Sequence, residues 1–226
     1  MMKLKHVIHS LSLVCCLIAG LSLTSCLNDD NSDNNYSPEE SRTMLTAMSG
    51  TYSGKAFIAY LKSANGSYYT DINSDVKEDS VTTYFSVRSD STLTVQFPVS
   101  LLAHCVIDST NTALISALQH SSTQTLTCKI YLQPDFTSSS YYYGFYALPQ
   151  ETTTVDVGSG TNTFRVKIEY AMSATYFNSS QYNFSSIGQY FISANGMAFY
   201  ILPGTISVNG EEQKMTPCPI LFRGTR

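Results

Sequence analysis

Along most of this chain apolar and polar residues alternate one for one, the period of a half-buried β-strand. The alternation predicts strands over 52–61, 80–87, 93–97, 125–132, 141–148, 152–157, 164–172, 189–193, 198–202, 205–208 and 220–222. Asn65-Gly66, Asn195-Gly196 and Asn209-Gly210 supply the turn chemistry between them, and 88–91 reads as a further tight connection. Two stretches break the period. Ser37-Pro38-Glu39-Glu40 has the residues of a capped helix start, and Met44, Leu45 and Met48 then share one face before Gly50, so a short helix is expected over about 38–49. A helical island spans 98–105 and 108–119, with Leu101, Leu102, Leu114, Ile115 and Leu118 at helical spacing and Asp108 as the expected cap of its second piece. Many short strands broken by turns predict a mainly β fold, a single antiparallel barrel or sandwich with two or three short helices.

The first residues follow another pattern. Lys3 and Lys5 precede an uncharged apolar run over 11–23, which ends in Leu23-Thr24-Ser25-Cys26. A basic start, an apolar core and a small-residue junction describe a secretory signal. The run is short of the roughly 20 apolar residues that span a bilayer. The junction resembles the lipobox of bacterial lipoproteins, which implies removal of 1–25 and acylation of Cys26. Two or more chains hold a protein on a membrane lastingly, at about 0.8 kcal/mol per buried methylene. The resemblance therefore implies a protein of the cell envelope, anchored in the outer membrane through Cys26. Residues 26–36 are polar and acidic and are expected to form a flexible tether. Their acids resemble the surface-export signal of Bacteroidetes lipoproteins, which implies outward display; a plain solvated tether is the alternative. Residues 37–226 then form a single β-rich domain.

Loss of the signal leaves 11 basic residues against 17 acidic ones, a net charge of −6. No basic stripe stands anywhere in the chain, which argues against nucleic acid as a partner. Cys15 and Cys16 leave with the signal and Cys26 is used for lipid, so Cys105, Cys128 and Cys218 remain. One disulfide with one leftover thiol, or three buried thiols, both fit that count. Their spacing makes no zinc site, and no metal or cofactor is expected.

Met44-Leu45-Thr46-Ala47-Met48 followed by Gly50-Thr51-Tyr52-Ser53-Gly54-Lys55 resembles the entry of a putative-lipoprotein family of unknown function found in Bacteroidetes. Asp79-Ser80-Val81, Asp90-Ser91-Thr92-Leu93-Thr94-Val95, Phe97-Pro98-Val99 and Ile206-Ser207-Val208-Asn209-Gly210 continue the likeness across most of 37–226. The glycine-x-aromatic opening after a short helix is also similar to the first strand of calycin-type barrels, where a lipocalin shows tryptophan and this chain has none. The family brings no catalytic residues with it.

Candidate chemistry is sparse. In Tyr141-Tyr142-Tyr143-Gly144-Phe145-Tyr146, strand parity puts Tyr141, Tyr143 and Phe145 on one face and Tyr142 and Tyr146 on the other. Outward tyrosines offer rigid area with a polar tip to a glycan, a peptide or a small apolar ligand; a packed core face is the alternative. Tyr176, Phe177 and Tyr182 form a second aromatic cluster in a polar, loop-like stretch. His104 and His120 stand without an acidic partner at ligand spacing, and no serine sits in a glycine elbow, so no catalytic residue is assigned and an enzyme is not expected. Ser80, Ser91 and Ser109, each after aspartate, resemble the short Bacteroidetes acceptor motif for O-glycosylation, although Asp-Ser is also common turn chemistry. The expected function is a non-catalytic binding or accessory module of the envelope; the alternative is a structural or adhesive surface protein.

Overall fold

The capping residues form the first helix as their spacing dictates. The Ser37 hydroxyl accepts from the Glu40 amide, the Glu40 carboxylate accepts from the Ser37 amide, and Pro38 occupies the first turn. The resulting helix, α1 (Pro38–Met48), leads into strand β1 (Gly50–Ile58). The structure is a computed structural model that describes residues 36–58, 62–64, 67–69, 80–106, 108–134, 141–160, 162–171, 188–213 and 219–226. Cys26, Tyr176, Phe177, Tyr182 and Cys218, together with the signal and nearly all of the tether, lie outside the described residues.

Thirteen further strands follow: β2 (Lys62–Ala64), β3 (Ser67–Tyr69), β4 (Val81–Val87), β5 (Thr92–Pro98), β6 (Thr123–Leu132), β7 (Tyr142–Pro149), β8 (Thr153–Ser159), β9 (Asn162–Tyr170), β10 (Gly188–Phe191), β11 (Gly196–Ile201), β12 (Pro203–Val208), β13 (Glu211–Gln213) and β14 (Ile220–Thr225). Eight of them, β1, β4, β5, β6, β7, β10, β11 and β14, close an antiparallel barrel. Each pairs with the next barrel strand in the chain, and β14 returns to pair with β1. The architecture is therefore the closed barrel of the two expected alternatives, which removes every edge from the main sheet.

Because successive barrel strands are antiparallel, alternate connections fall at the same end. One end carries short links, 88–91 between β4 and β5 and 192–195 between β10 and β11. The other end carries all four excursions: the β2–β3 hairpin, a 3-10 helix (Val99–Cys105) with helix α2 (Thr112–Gln119), the β8–β9 hairpin, and the β12–β13 hairpin. The last two join into one four-stranded sheet, β13-β12-β9-β8.

Period-2 alternation now sorts side chains by place. Tyr52, Phe85, Phe97, Phe145, Phe199 and Phe222 point inward and are buried. Their rings form a connected chain, with Tyr52 stacked on Phe85 at 5.0 Å, Phe85 edge-on to Phe199 at 5.0 Å, and Phe199 stacked on Phe222 at 5.1 Å. The same apolar cluster takes in Leu101, Leu114 and Leu118 of the helical excursion and Val157, Val166, Ile168 and Ile206 of the small sheet. The excursions thus plug their end of the barrel with side chains of one continuous core.

The short-link end is closed differently. The Arg226 guanidinium lies 5.6 Å from the Tyr52 ring centre and 5.7 Å from that of Tyr190. It donates to the carbonyls of Ser49 (2.7 Å) and Ala47 (3.0 Å), to the Tyr190 hydroxyl (2.6 Å) and to Asn195 Oδ1 (2.9 Å). It so satisfies carbonyls that the end of α1 leaves open. Gly50, at φ +149, gives it room: a Cβ there would lie 2.7 Å from Arg226 Cδ.

One expected cap is corrected. Asn111, not Asp108, caps α2, its side chain accepting from the Leu114 amide. Asp108 instead accepts from the Thr110 amide (2.9 Å) and hydroxyl (2.6 Å), a local turn that delays the helix until Thr112.

Candidate functional site

Parity on β7 separates its aromatics as the pattern implies. Tyr143, Phe145 and Ala147 face inward, while Tyr142, Gly144, Tyr146 and Leu148 face outward. Tyr141 precedes the strand and is 73 % exposed. Pairing then adds members that no local motif names. Tyr131 of β6 stands opposite Tyr146, and Phe191 of β10 stands opposite Tyr142, with Gly144 and Gln189 as the pair between. The outer wall therefore carries two aromatic pairs, roughly 14 Å apart at about 3.4 Å per residue. Tyr142, Tyr146 and Phe191 are half-buried, and Tyr131 is 43 % exposed, with Lys129 Nζ 5.5 Å above its ring. Burial raises the Tyr146 hydroxyl above its ordinary pKa, so it stays a neutral donor and acceptor. Tyr131 was legible only as an outward position of its strand; its neighbour across the ladder needed the register.

Phe191 also packs onto a second apolar cluster on the outside of the barrel, made by Phe57, Ala171, Ala198, Tyr200, Leu202 and Leu221, all buried. This part of the wall is core. Elsewhere the outer wall meets solvent, at Tyr131 and, on β4, at Tyr84, which is 55 % exposed.

The other expected residues are dispersed. His120 caps the C-terminus of α2, its Nδ1 2.7 Å from the Ser116 carbonyl, and His104 is an exposed residue of the 3-10 helix. Among the described residues no group of three or more His, Cys, Asp and Glu could hold a metal ion, and no described helix is long and apolar enough to cross a membrane. The serines after aspartate differ in presentation. Ser80 is half-buried just before β4, Ser91 is half-buried at φ +66, and Ser109 is exposed at the apex of the Asp108 turn. In both turns the threonine two residues on hydrogen-bonds the aspartate and holds its carboxyl below the usual range.

Of the two cysteines described, Cys105 is disulfide-bonded and Cys128 is a free, buried thiol. Burial raises Cys128 from its ordinary 9.0 to about 12 and Tyr52 from 10.0 to about 12, the nearby Arg226 opposing the latter. Tyr170 is also raised by burial, its hydroxyl 2.7 Å from Thr153 Oγ1. These groups keep their protons in the folded state above the pH at which the unfolded chain releases them. Their contribution to stability is complete below pH 9 and is lost as pH climbs toward 12. Urea midpoints are expected to fall steadily above pH 9, and Cys128→Ala should flatten the first part of that fall. A midpoint that rises over this range would refute the assignment.

Residues 47–208 match a family model described as a domain of unknown function (DUF4840). No curated protein matches the chain, and no solved structure matches it.

Proposed function

The chain belongs to the DUF4840 family, and on that premise we propose that it is a lipid-anchored protein of the cell envelope that acts as a non-catalytic binding or accessory module. The observation that carries the binding reading is the aromatic face of the outer wall, where Tyr131 stands opposite Tyr146. Inside, buried aromatics including Tyr52, Phe85, Phe97, Phe145, Phe199 and Phe222 fill the lumen with core side chains, which turns the search for a ligand surface to the outside. There the wall offers Tyr131, Tyr142 and Tyr146, planar apolar surface with hydroxyl tips, suited to a glycan, a peptide or a small apolar ligand. Anchoring rests on the lipobox-like Leu23-Thr24-Ser25-Cys26 and on the polar tether after it.

The filled lumen favours a second reading, a structural or adhesive surface protein with no small ligand. Immobilised glycans, peptides and envelope fractions separate the two when probed with the unlipidated mature chain. Capture that Tyr131→Ser and Tyr146→Ser weaken supports a binding module; capture of nothing supports the structural role. Anchoring has its own assay. Cys26→Ala should abolish labelling by a fatty-acid probe and release the protein from membranes into the soluble fraction. Labelling that persists in Cys26→Ala would overturn the lipid anchor.

A further inference from the structure

Two of the excursions at the elaborated end, which start from different barrel connections, meet without filling the space between them. A cleft of about 440 Å³ lies between α2 and the tip of the β8–β9 hairpin, inside the roughly 300–1,000 Å³ range of small-molecule sites. Its apolar lining is small: buried Ala117, with exposed Ala113 one helical turn away and exposed Gly158 of the hairpin. Gly158 stands at φ +92, and a Cβ there would fall 2.1 Å from the Asn162 carbonyl oxygen and 3.3 Å from Ala117 Cβ. Only glycine lets the hairpin lie this close to the helix with the floor left flat.

The rim is polar, and among the described residues that line the cleft there is no carboxylate, lysine or arginine. Ser116 and His120 come from the helix, Ser159 and Asn162 from the hairpin. The His120 Nδ1 lies 2.7 Å from the Ser116 carbonyl, which can only accept, so Nδ1 carries a proton and Nε2 is the ring atom left to face the cleft. The serine hydroxyls and the asparagine amide each offer both donor and acceptor. The scaffold under these groups is fixed, because Leu114, Ala117 and Leu118 anchor the helix in the core and β9 is held between β8 and β12.

We propose that this cleft is a carbohydrate site that receives a neutral sugar ring, an inference that rests on the binding-module reading and gives it a ligand class. Paired donors and acceptors match vicinal hydroxyls, each of which needs both. The alanine–glycine floor matches the C–H face of a pyranose. An anion would leave water without meeting a lysine or arginine of the described lining, next to a helix C-terminus whose partial charge is negative. The cleft therefore discriminates against acidic sugars.

The test is a titration of the ¹⁵N-labelled, unlipidated mature chain with D-glucose, D-galactose, N-acetyl-D-glucosamine and D-glucuronate, read by amide shifts. Saturable shifts at Ser116, His120, Ser159 and Asn162 with a neutral sugar are expected, with glucuronate weaker by about tenfold or more. Ala113→Leu places a good helix former at an exposed position and fills the cleft. It should remove the shifts and leave the urea midpoint unchanged. Shifts that survive Ala113→Leu, or that map to Tyr131, Tyr142 and Tyr146, would overturn the cleft while the binding-module reading stands. Absence of saturable shifts with every sugar would overturn the cleft as a carbohydrate site. If immobilised peptides and envelope fractions also capture nothing, the binding-module reading falls with it.

Discussion

Gly54→Ala is expected to prevent this chain from closing its barrel. Gly54 faces Gly224 across the β1–β14 seam, where the last barrel strand meets the first. A Cβ on Gly54 would lie 1.9 Å from the Arg223 carbonyl oxygen and 2.5 Å from Gly224 Cα. Both are backbone atoms, so no rotamer change relieves the contact; the seam itself must open. Opening it exposes ladder groups on two strands and uncovers the Phe85 ring, which lies against Gly224. Gly→Ala at a conformationally compatible site changes stability by about 0.4–1 kcal/mol. Here the loss should exceed about 4 kcal/mol, a large part of the 5–15 kcal/mol a domain possesses. Gly196 of β11 is the control, because its nearest neighbour to an added Cβ is Thr225 Cγ2 at an ordinary 3.5 Å. Soluble yield and urea unfolding of the two variants check the claim: Gly196→Ala near wild type, Gly54→Ala insoluble or with a far lower midpoint. Equal midpoints would mean that the seam yields more easily than its geometry implies.

The residues that made the fold legible are those whose information is local. Ser37, Pro38 and Glu40 interact within one turn, so their spacing announces α1. Alternation announces the strands that have one wet face, and β11, buried at every position, is not among them. Alternation does not say which sheet a strand joins. Val155 and Val157 of β8, Val166 and Ile168 of β9, and Ile206 and Val208 of β12 alternate as barrel strands do, yet they build the small sheet that plugs the barrel. Asp108 and Asn111 carry equivalent capping chemistry, and only the path of the chain assigns one to a turn and the other to the helix. Arg226 is further out of reach, since its carbonyl partners lie 177 and 179 residues away. Of the candidate surfaces, the β7 tyrosines follow from parity alone, whereas the cleft follows from the meeting of two excursions separated by β6 and β7. The seven described residues that line it belong to no single motif.

Phe199→Ala should cost about 3–5 kcal/mol and, in doing so, open an internal cavity where the ring now packs. Phe199 is fully buried and sits at the centre of the aromatic chain, 5.1 Å from Phe222, 5.0 Å from Phe85 and 6.2 Å from Phe145. Each such ring pair is worth about 0.5–1.5 kcal/mol beyond the area it buries. Phe199→Leu keeps most of the volume and should cost distinctly less than Phe199→Ala. A double-mutant cycle of Phe199 with Phe85 should return a coupling within the range for one ring pair. The second consequence bears on function. An apolar cavity in a rigid wall stays dry and takes small apolar molecules such as benzene. Benzene should therefore raise the melting temperature of Phe199→Ala and leave the native protein unaffected. That contrast would place the native lumen with the core rather than with the binding surface, and leave recognition to the outer wall and the excursions. A native protein stabilised by benzene as strongly as the variant would show that the lumen already accepts ligands, and the argument for an external site would fail.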